Sequence, residues 1–238
     1  RYGSKPDLVS QMRSQSDAEF LHCLRLAVDD RLTRAALVLL GRSVAASHLG
    51  GATPRIGWQL VDHRGDHLTH QHFELPLVLG IDALIARIRI IEVNLLPPRE
   101  VAPLNLPNYD DWVIREALHN CVAHQDYRLG GKVNVVEHPD KLVFTNLGQF
   151  IPPSVEWMLE HQSPPEHYRN QWLIDGMIRL RMIDQVGSGI RRMFQSQRYR
   201  YFPRPDFVFE VTEQGHPRVE VAILGQVLDV KYTQLLMK

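Results

Sequence analysis

Apolar positions recur at helical spacing along some stretches of the chain and alternate with polar ones along others. From Asp17, the residues Phe20, Leu21, Leu24 and Leu26 fall on one helical face. A second helix is expected after Thr33, a residue type that caps helix starts. It carries Ala35, Ala36, Leu37, Leu39 and Leu40 and stops at Gly41. Between Thr53 and Pro76 the pattern changes to alternation. Residues 55–61 and 68–75 read as strands flanking His63-Arg64-Gly65-Asp66, a hairpin turn. Leu79, Ala83, Leu84, Ala86, Ile88 and Ile91 then predict an amphipathic helix over Leu77–Ile91.

Pro97, Pro98, Pro103 and Pro107 interrupt the pattern and predict a linker, with a boundary near residue 105. The chain is thus expected to hold a polar leader (1–16) and a small α/β subdomain within 1–105, and a second unit over 106–238. In that second unit a helix follows Asp111 and runs through His124. Strands are expected at Lys132–Glu137 and Lys141–Thr145, and a short helix after the capping residue Ser154. Ser163-Pro164-Pro165 interrupts the chain again. Helices from about Tyr168 to Arg181 and from Ile190 to Gln197 precede closing strands at 207–212 and 218–224. The expected class is mixed α+β.

Composition narrows the functional classes. Among 238 residues, 27 Lys and Arg balance 27 Asp and Glu, so no global field draws the chain to nucleic acid or membranes. No apolar run approaches the ~18 residues that span a bilayer. Two cysteines, Cys23 and Cys121, are too few for a disulfide scaffold, which points to a reducing, cytoplasmic setting. His63, His67, His70 and His72 have no metal-binding spacing and read as a polar strand-and-turn surface.

The segment with chemical content is the helix after Asp111. Glu116, Asn120 and His124 are spaced i, i+4, i+8 and stack on one face. An Asn oxygen can serve a hard cation such as Mg²⁺, and a Glu one turn earlier can take a proton from an attacking water. The same spacing also fits a solvated polar stripe on an amphipathic helix. Two later elements add weight: a strand running into Asn146-Leu147-Gly148 and Ile151-Pro152, and a Gly187-Ser188-Gly189 turn opening a helix. A helix start of that kind offers free N–H groups and a positive dipole end to phosphates.

Together these blocks resemble the ATP-site boxes of the GHKL superfamily of gyrase B, histidine kinases and MutL. More closely, Arg115-Glu116-Ala117-Leu118, Asn120, His124-Gln125-Asp126-Tyr127, Tyr168-Arg169-Asn170 and Gly187 to Arg192 resemble bacterial transcriptional regulators described as RecG-helicase-related. The resemblance implies a GHKL (Bergerat)-like two-layer α/β sandwich preceded by the smaller subdomain. It implies ATP and Mg²⁺ as ligands, with Glu116 as catalytic base and Asn120 on the metal. His124, Asn146, Gly148, Arg169, Asn170, Gly187, Ser188, Gly189 and Arg191 would form the nucleotide site. It also implies a homodimer, with DNA contacts made by domains outside this chain and none with membranes.

Two positions depart from that pattern: Asn146 stands where those enzymes carry Asp, and Phe150 where they carry the second Gly. No Gly-x₄-Gly-Lys-Ser/Thr phosphate loop occurs, so the chain is at most a GHKL-type ATPase and not a helicase motor. His124-Gln125-Asp126 lacks the other elements of a protein-kinase site, and Asp126 and Tyr127 are expected to fasten the helix end. The cluster of Arg191, Arg192, Arg198, Arg200 and Arg204 with Phe194, Tyr199, Tyr201 and Phe202 admits two readings. It is either a phosphate or nucleic-acid grip, or a solvated helix face with aromatics packed on the core. A non-enzymatic interaction domain that has lost its ligand, and a fragment that binds DNA directly, stand as alternatives.

Overall fold

The computed structural model describes residues 14–95, 103–161, 167–183 and 187–226. The leader up to residue 13, Pro97 and Pro98, Ser163-Pro164-Pro165, Gln185-Val186 and the terminal Leu228–Leu236 stretch lie outside the described residues.

Capping chemistry sets most helix starts where the sequence places them. Ser16 and Glu19 form a capping box for α1 (Asp17–Cys23). Thr33 Oγ1 accepts from Ala36 N at 3.2 Å to open α2 (Arg34–Leu40), which stops at Gly41. The hairpin appears as β3 (Ile56–Val61) and β4 (His67–Phe73), after a short ribbon of β1 (Ala27–Val28) and β2 (Arg31–Leu32). His63, His67, His70 and His72 are all exposed on this hairpin. No group of three metal-ligating side chains forms among the described residues.

Two local expectations need correction. Helix α3 covers Leu77–Ile85, not Leu77–Ile91. Past Ala86 the chain leaves the helix, and the Arg89 Nε reaches the buried Glu137 carboxylate at 2.6 Å. Ile90 and Ile91 are left exposed. The expected linker contains a second ribbon, β5 (Glu92–Leu95) paired antiparallel with β6 (Leu104–Pro107). Pro107 is accommodated in this ribbon because a strand edge tolerates a missing N–H.

Helix α4 (Asp111–His124) starts on Asp110, whose carboxylate accepts from Trp112 N at 2.9 Å. Strands β7 (Val133–Glu137) and β8 (Lys141–Leu147) follow, then α5 (Val155–Glu160), capped by Ser154 as expected. Helices α6 (Gln171–Arg179) and α7 (Gly189–Tyr199) precede β9 (Asp206–Val211) and β10 (Pro217–Leu224). The left-handed Arg181, at φ 57°, follows the end of α6.

One six-stranded sheet in the order β4-β3-β7-β8-β10-β9 organises the molecule. Its one parallel pair, β3 with β7, joins strands from either side of residue 105, so both segments share a sheet and a core. On the covered face Val133 and Val135 of β7 adjoin Leu142 and Phe144 of β8 and Val221 and Ile223 of β10, and α4 packs over β8. The opposite-facing Asn134 and Val136 are only half-buried. This is a mixed α+β architecture, a two-layer α/β sandwich. Among the described residues, no helix is long and apolar enough to cross a membrane.

Glu137 ties the two segments together. Its carboxylate, 2% exposed, accepts from Trp58 Nε1 at 3.2 Å and from Arg89. Glu137→Ala leaves the buried indole N–H without an acceptor. It is expected to lower the unfolding free energy by about 2 kcal/mol, read from urea melts; a change near zero would show that this contact holds nothing.

Candidate functional site

Helix α4 is covered on both flanks, which removes the solvated-stripe reading of its polar face. Glu116 is only 7% exposed, although its type favours water. Asn120 Nδ2 donates to Glu116 Oε1 at 3.1 Å, as the one-turn spacing allows. The carboxylate also lies against the amino end of α7: a Cβ placed on Gly189 would overlap it. Glycine is therefore required at 189 by close approach, a reason the sequence pattern alone did not show.

Asn146 enters from β8. It faces the covered side, opposite Val219 of β10, and is 4% exposed. Its Nδ2 donates to Leu147 O at 3.2 Å, and the residue lines the interior cavity described next. Glu116, Asn120, His124 and Asn146 line a single cavity of about 120 Å³ together with Gly187 and Gly189. Three separated segments thus contribute to one cavity wall.

Most of the rest of the wall is apolar, and much of it comes from places outside the motifs. Met158 of α5, Ile174 of α6, Ile183, Met193 of α7, and Phe207 and Val221 of the sheet contribute. No local signal marks them, because each sits at an ordinary core position of its own element. Phe150 also lines the cavity and lies against Phe209, ring centroids 4.7 Å apart.

The remaining candidates surround the cavity without lining it. Gly148 adopts φ 130°, where a side chain is strained, and a Cβ there would meet Arg169 Nη1 at 2.6 Å. Arg169 Nη1 donates to His124 O at 2.6 Å and Nη2 to Gln149 O at 3.0 Å. Asn170 Nδ2 donates to Ala123 O at 2.9 Å and to Gln125 O at 2.8 Å. Both side chains therefore satisfy carbonyls at the carboxyl end of α4, where a cation is also favoured by the helix dipole. Tyr168 beside them does line the cavity, and its ring lies 6.3 Å from that of His124. Ser188 occupies the cap position of α7, and Arg191, half-buried in its first turn, is not part of the cavity wall.

Asp126 and Tyr127 fasten the loop after α4. Asp126 caps the 127–129 turn and pairs with Arg128 at 2.7 Å, and Tyr127 donates its hydroxyl to Val122 O at 2.8 Å. Arg128 holds the Asp126 carboxyl below its usual range. In the basic–aromatic cluster, Arg192 stacks on Trp112 at 4.2 Å, and Arg200 stacks on Phe202 and donates to Pro107 O. Arg198 and Tyr199 remain exposed.

Comparison with known proteins agrees with this geometry in part. Residues 130–215 match a family model described as "Putative ATP-dependent DNA helicase recG C-terminal". This stretch is similar to a RecG-related, ATPase-like domain and includes Asn146 and both glycines of the 187–189 turn. It begins after α4. A crystal structure of the DIP2311 protein from Corynebacterium diphtheriae superposes with a TM-score of 0.69 at 19% identity. The match covers 98% of this chain and 47% of that one, so the chain spans about half the length of its structural neighbour. At that identity the likeness concerns the fold. No curated protein sequence matches.

Two histidines of α4, the buried His119 and the half-buried His124, make the fold acid-sensitive. Burial pushes His119 and His124 down to about 4 from the usual 6.5, with Arg169 adding to the effect at His124. The folded chain keeps both rings neutral while the unfolded chain protonates near 6.5. Stability is therefore fully present above pH 6.5 and falls between 6.5 and about 4, by up to about 1.4 kcal/mol per pH unit for each ring. Urea melts across that range test this, and His119→Gln should flatten the slope. A second expectation concerns the helix end: Asn170→Ala removes donors to two carbonyls and should cost about 1–2 kcal/mol. Unchanged melting would refute it.

Proposed function

We propose that this chain is a nucleotide-binding regulatory module that senses an adenine-type ligand rather than a motor that consumes one. The observation that supports the reading is the convergence of Glu116, Asn120, His124 and Asn146 with the 187–189 turn on one cavity. Asn146 would accept from the amino group of the base. Gly187 and Gly189 stand where the helix dipole is positive. The ATPase-like unit is taken as 106–238, with residues 1–105 extending its sheet.

The donor set bears on the cation. Asn120 spends its amide nitrogen on Glu116, leaving its Oδ1 for Mg²⁺, with the Glu116 carboxylate beside it. Two oxygens are too few to hold Mg²⁺ alone, whereas the ion commonly keeps several water and phosphate ligands. These residues therefore fit a cation that arrives with its nucleotide. When bound there, it would neutralise ligand charge. Glu116 would orient water only after leaving Gly189 and Asn120, so binding without efficient hydrolysis is the expected behaviour.

Regulation of transcription, DNA contact through domains outside this chain and assembly as a homodimer are part of this proposal. The alternative of a domain that has lost its ligand draws on one observation, the mainly apolar wall that includes Phe150. Melting the chain with ATP and Mg²⁺ separates the two. A ligand at a hundredfold excess over its Kd adds about 2.7 kcal/mol, several degrees in Tm. Asn146→Ala should reduce the shift and phosphate release should stay at background. If neither ATP nor adenosine moves the melting curve, the ligand-free alternative stands instead.

A further inference from the structure

The sheet ends in two edge strands of opposite character, β4 and β9. An open edge presents unpaired N–H and C=O groups to any strand that reaches them. On β4 the edge is blunted. Its pairing with β3 shifts register between Leu60 and Val61, and His67, His70 and His72 stand exposed along it. Strand β9 (Asp206–Val211) has no such device: it pairs with β10 in unbroken register and contains neither Lys nor Pro. Among the described residues no strand pairs with its outer side.

The alternation of ladder bonds fixes which groups face outward. Gly148 N, just past β8, donates to Pro217 O, so Pro217 turns its backbone to β8. Arg218, Glu220 and Ala222 of β10 therefore bond to β9, through Glu210, Val208 and Asp206. Phe207, Phe209 and Val211 send their N–H and C=O groups to the free edge. Phe207 and Phe209 stand opposite the buried Val221 and Val219, so the side chains of these three lie on the helix-covered face. There they line a groove of about 680 Å³ together with Phe150, Val155 and Phe194. Phe209 is 48% exposed and Val211 69%, an open apolar seam.

This edge complements itself. Antiparallel pairing about a two-fold axis normal to the sheet sets each residue opposite one on the same face. Centred on Phe209, it places Phe209 against Phe209, Phe207 against Val211 and Val208 against Glu210. Every free N–H and C=O of Phe207, Phe209 and Val211 is then paired, and aromatic and β-branched neighbours meet across the seam. Glu210 already carries its counter-charge, Arg218. Centred on Val208, the pairing would oppose Asp206 to Glu210; centred on Glu210, it would oppose that residue to itself. Like charges directly opposite are destabilising. Centred on Phe207, it would leave Val211 beyond the overlap. The Phe209 register also brings the exposed Arg204, ahead of β9, to the end where the exposed Glu213 of the second copy follows it.

We propose that β9 is the contact surface between two copies of this chain, which join at Phe209 into one sheet crossing the two-fold axis. The contact is isologous and uses up both open edges, so the assembly closes at two. This rests on the homodimer of the preceding subsection and gives it a surface; it does not depend on what the cavity binds.

Sedimentation equilibrium of the full 238-residue chain across the micromolar range tests it, with a species of twice the 27.4 kDa chain mass expected. Phe209→Lys sets two cations at the axis and should weaken association by about tenfold or more, while circular dichroism confirms its fold. Cross-linking reads the register in a Cys23→Ser background, since Cys23 is exposed. Phe209→Cys should form an intermolecular disulfide under mild oxidation, because Cα atoms of such a pair lie ~5.5 Å apart. Asp206→Cys should not, its two copies being ~20 Å apart along the strands. If Phe209→Lys does not fold, the cross-linking pair decides alone. A monomer throughout overturns both this surface and the homodimer, and leaves nucleotide binding to its own melting test. A dimer that Phe209→Lys does not weaken, or that links as readily through Asp206→Cys, keeps the homodimer and overturns this surface.

Discussion

The Glu116 carboxylate is held out of water between its own helix and the first turn of the Gly189–Tyr199 helix. Removing a carboxylate from water costs several kcal/mol unless partners replace the hydration shell. Asn120 supplies a hydrogen bond to the charged group, an interaction of about 1.5–3 kcal/mol. The positive end of α7 adds up to about 2 kcal/mol in a partly buried setting. These terms are of the size of the penalty, so the arrangement can persist, but only while α4 and α7 stay in contact. The glycine at 189, the burial of α4 and the shape of the cavity all follow from that contact.

A second set of contacts fixes the other end of the same helix. The last carbonyls of α4 have no partners within the helix. Tyr127 covers Val122 O, Asn170 covers Ala123 O and Gln125 O, and Arg169 covers His124 O. The side-chain Oε1 of Gln125 accepts from Leu147 N at 2.9 Å, and Asp126 N donates to Leu147 O. The helix bearing the polar face is therefore bolted to the strand bearing Asn146. Arg169 and Asn170 position the cavity wall in this way, even though a motif comparison would count them as ligand contacts.

Among the described residues the cavity wall carries a carboxylate and neither Lys nor Arg. Phosphoryl chemistry depends on cations that neutralise charge in a confined space. Here the charged group in the wall is negative and the rest is mainly apolar. The stretch that is similar to a RecG-related, ATPase-like domain thus contributes Asn146 and the 187–189 turn to an interior that is mainly apolar.

Local order was legible in the sequence because it depends on neighbours a few residues apart. Thr33 and Ser154 capped the helices they were expected to cap, the 63–66 turn joined two strands, and i, i+4 spacing put Glu116, Asn120 and His124 on one face. Non-local features were not legible. Helical periodicity ran on to Ile91, but the long-range pull of Glu137 on Arg89 accompanies an end at Ile85. Prolines hid the β5–β6 ribbon, and nothing local announced the parallel pairing of β3 with β7. The sequence by itself determined which side chains share a helix face and which turns could bend, since backbone geometry and capping are short-range. Tertiary structure alone decided that Glu116 on this face is buried, that it meets Gly189 and that Met158, Ile174 and Met193 close the wall. Those outcomes depend on packing between elements far apart in the chain.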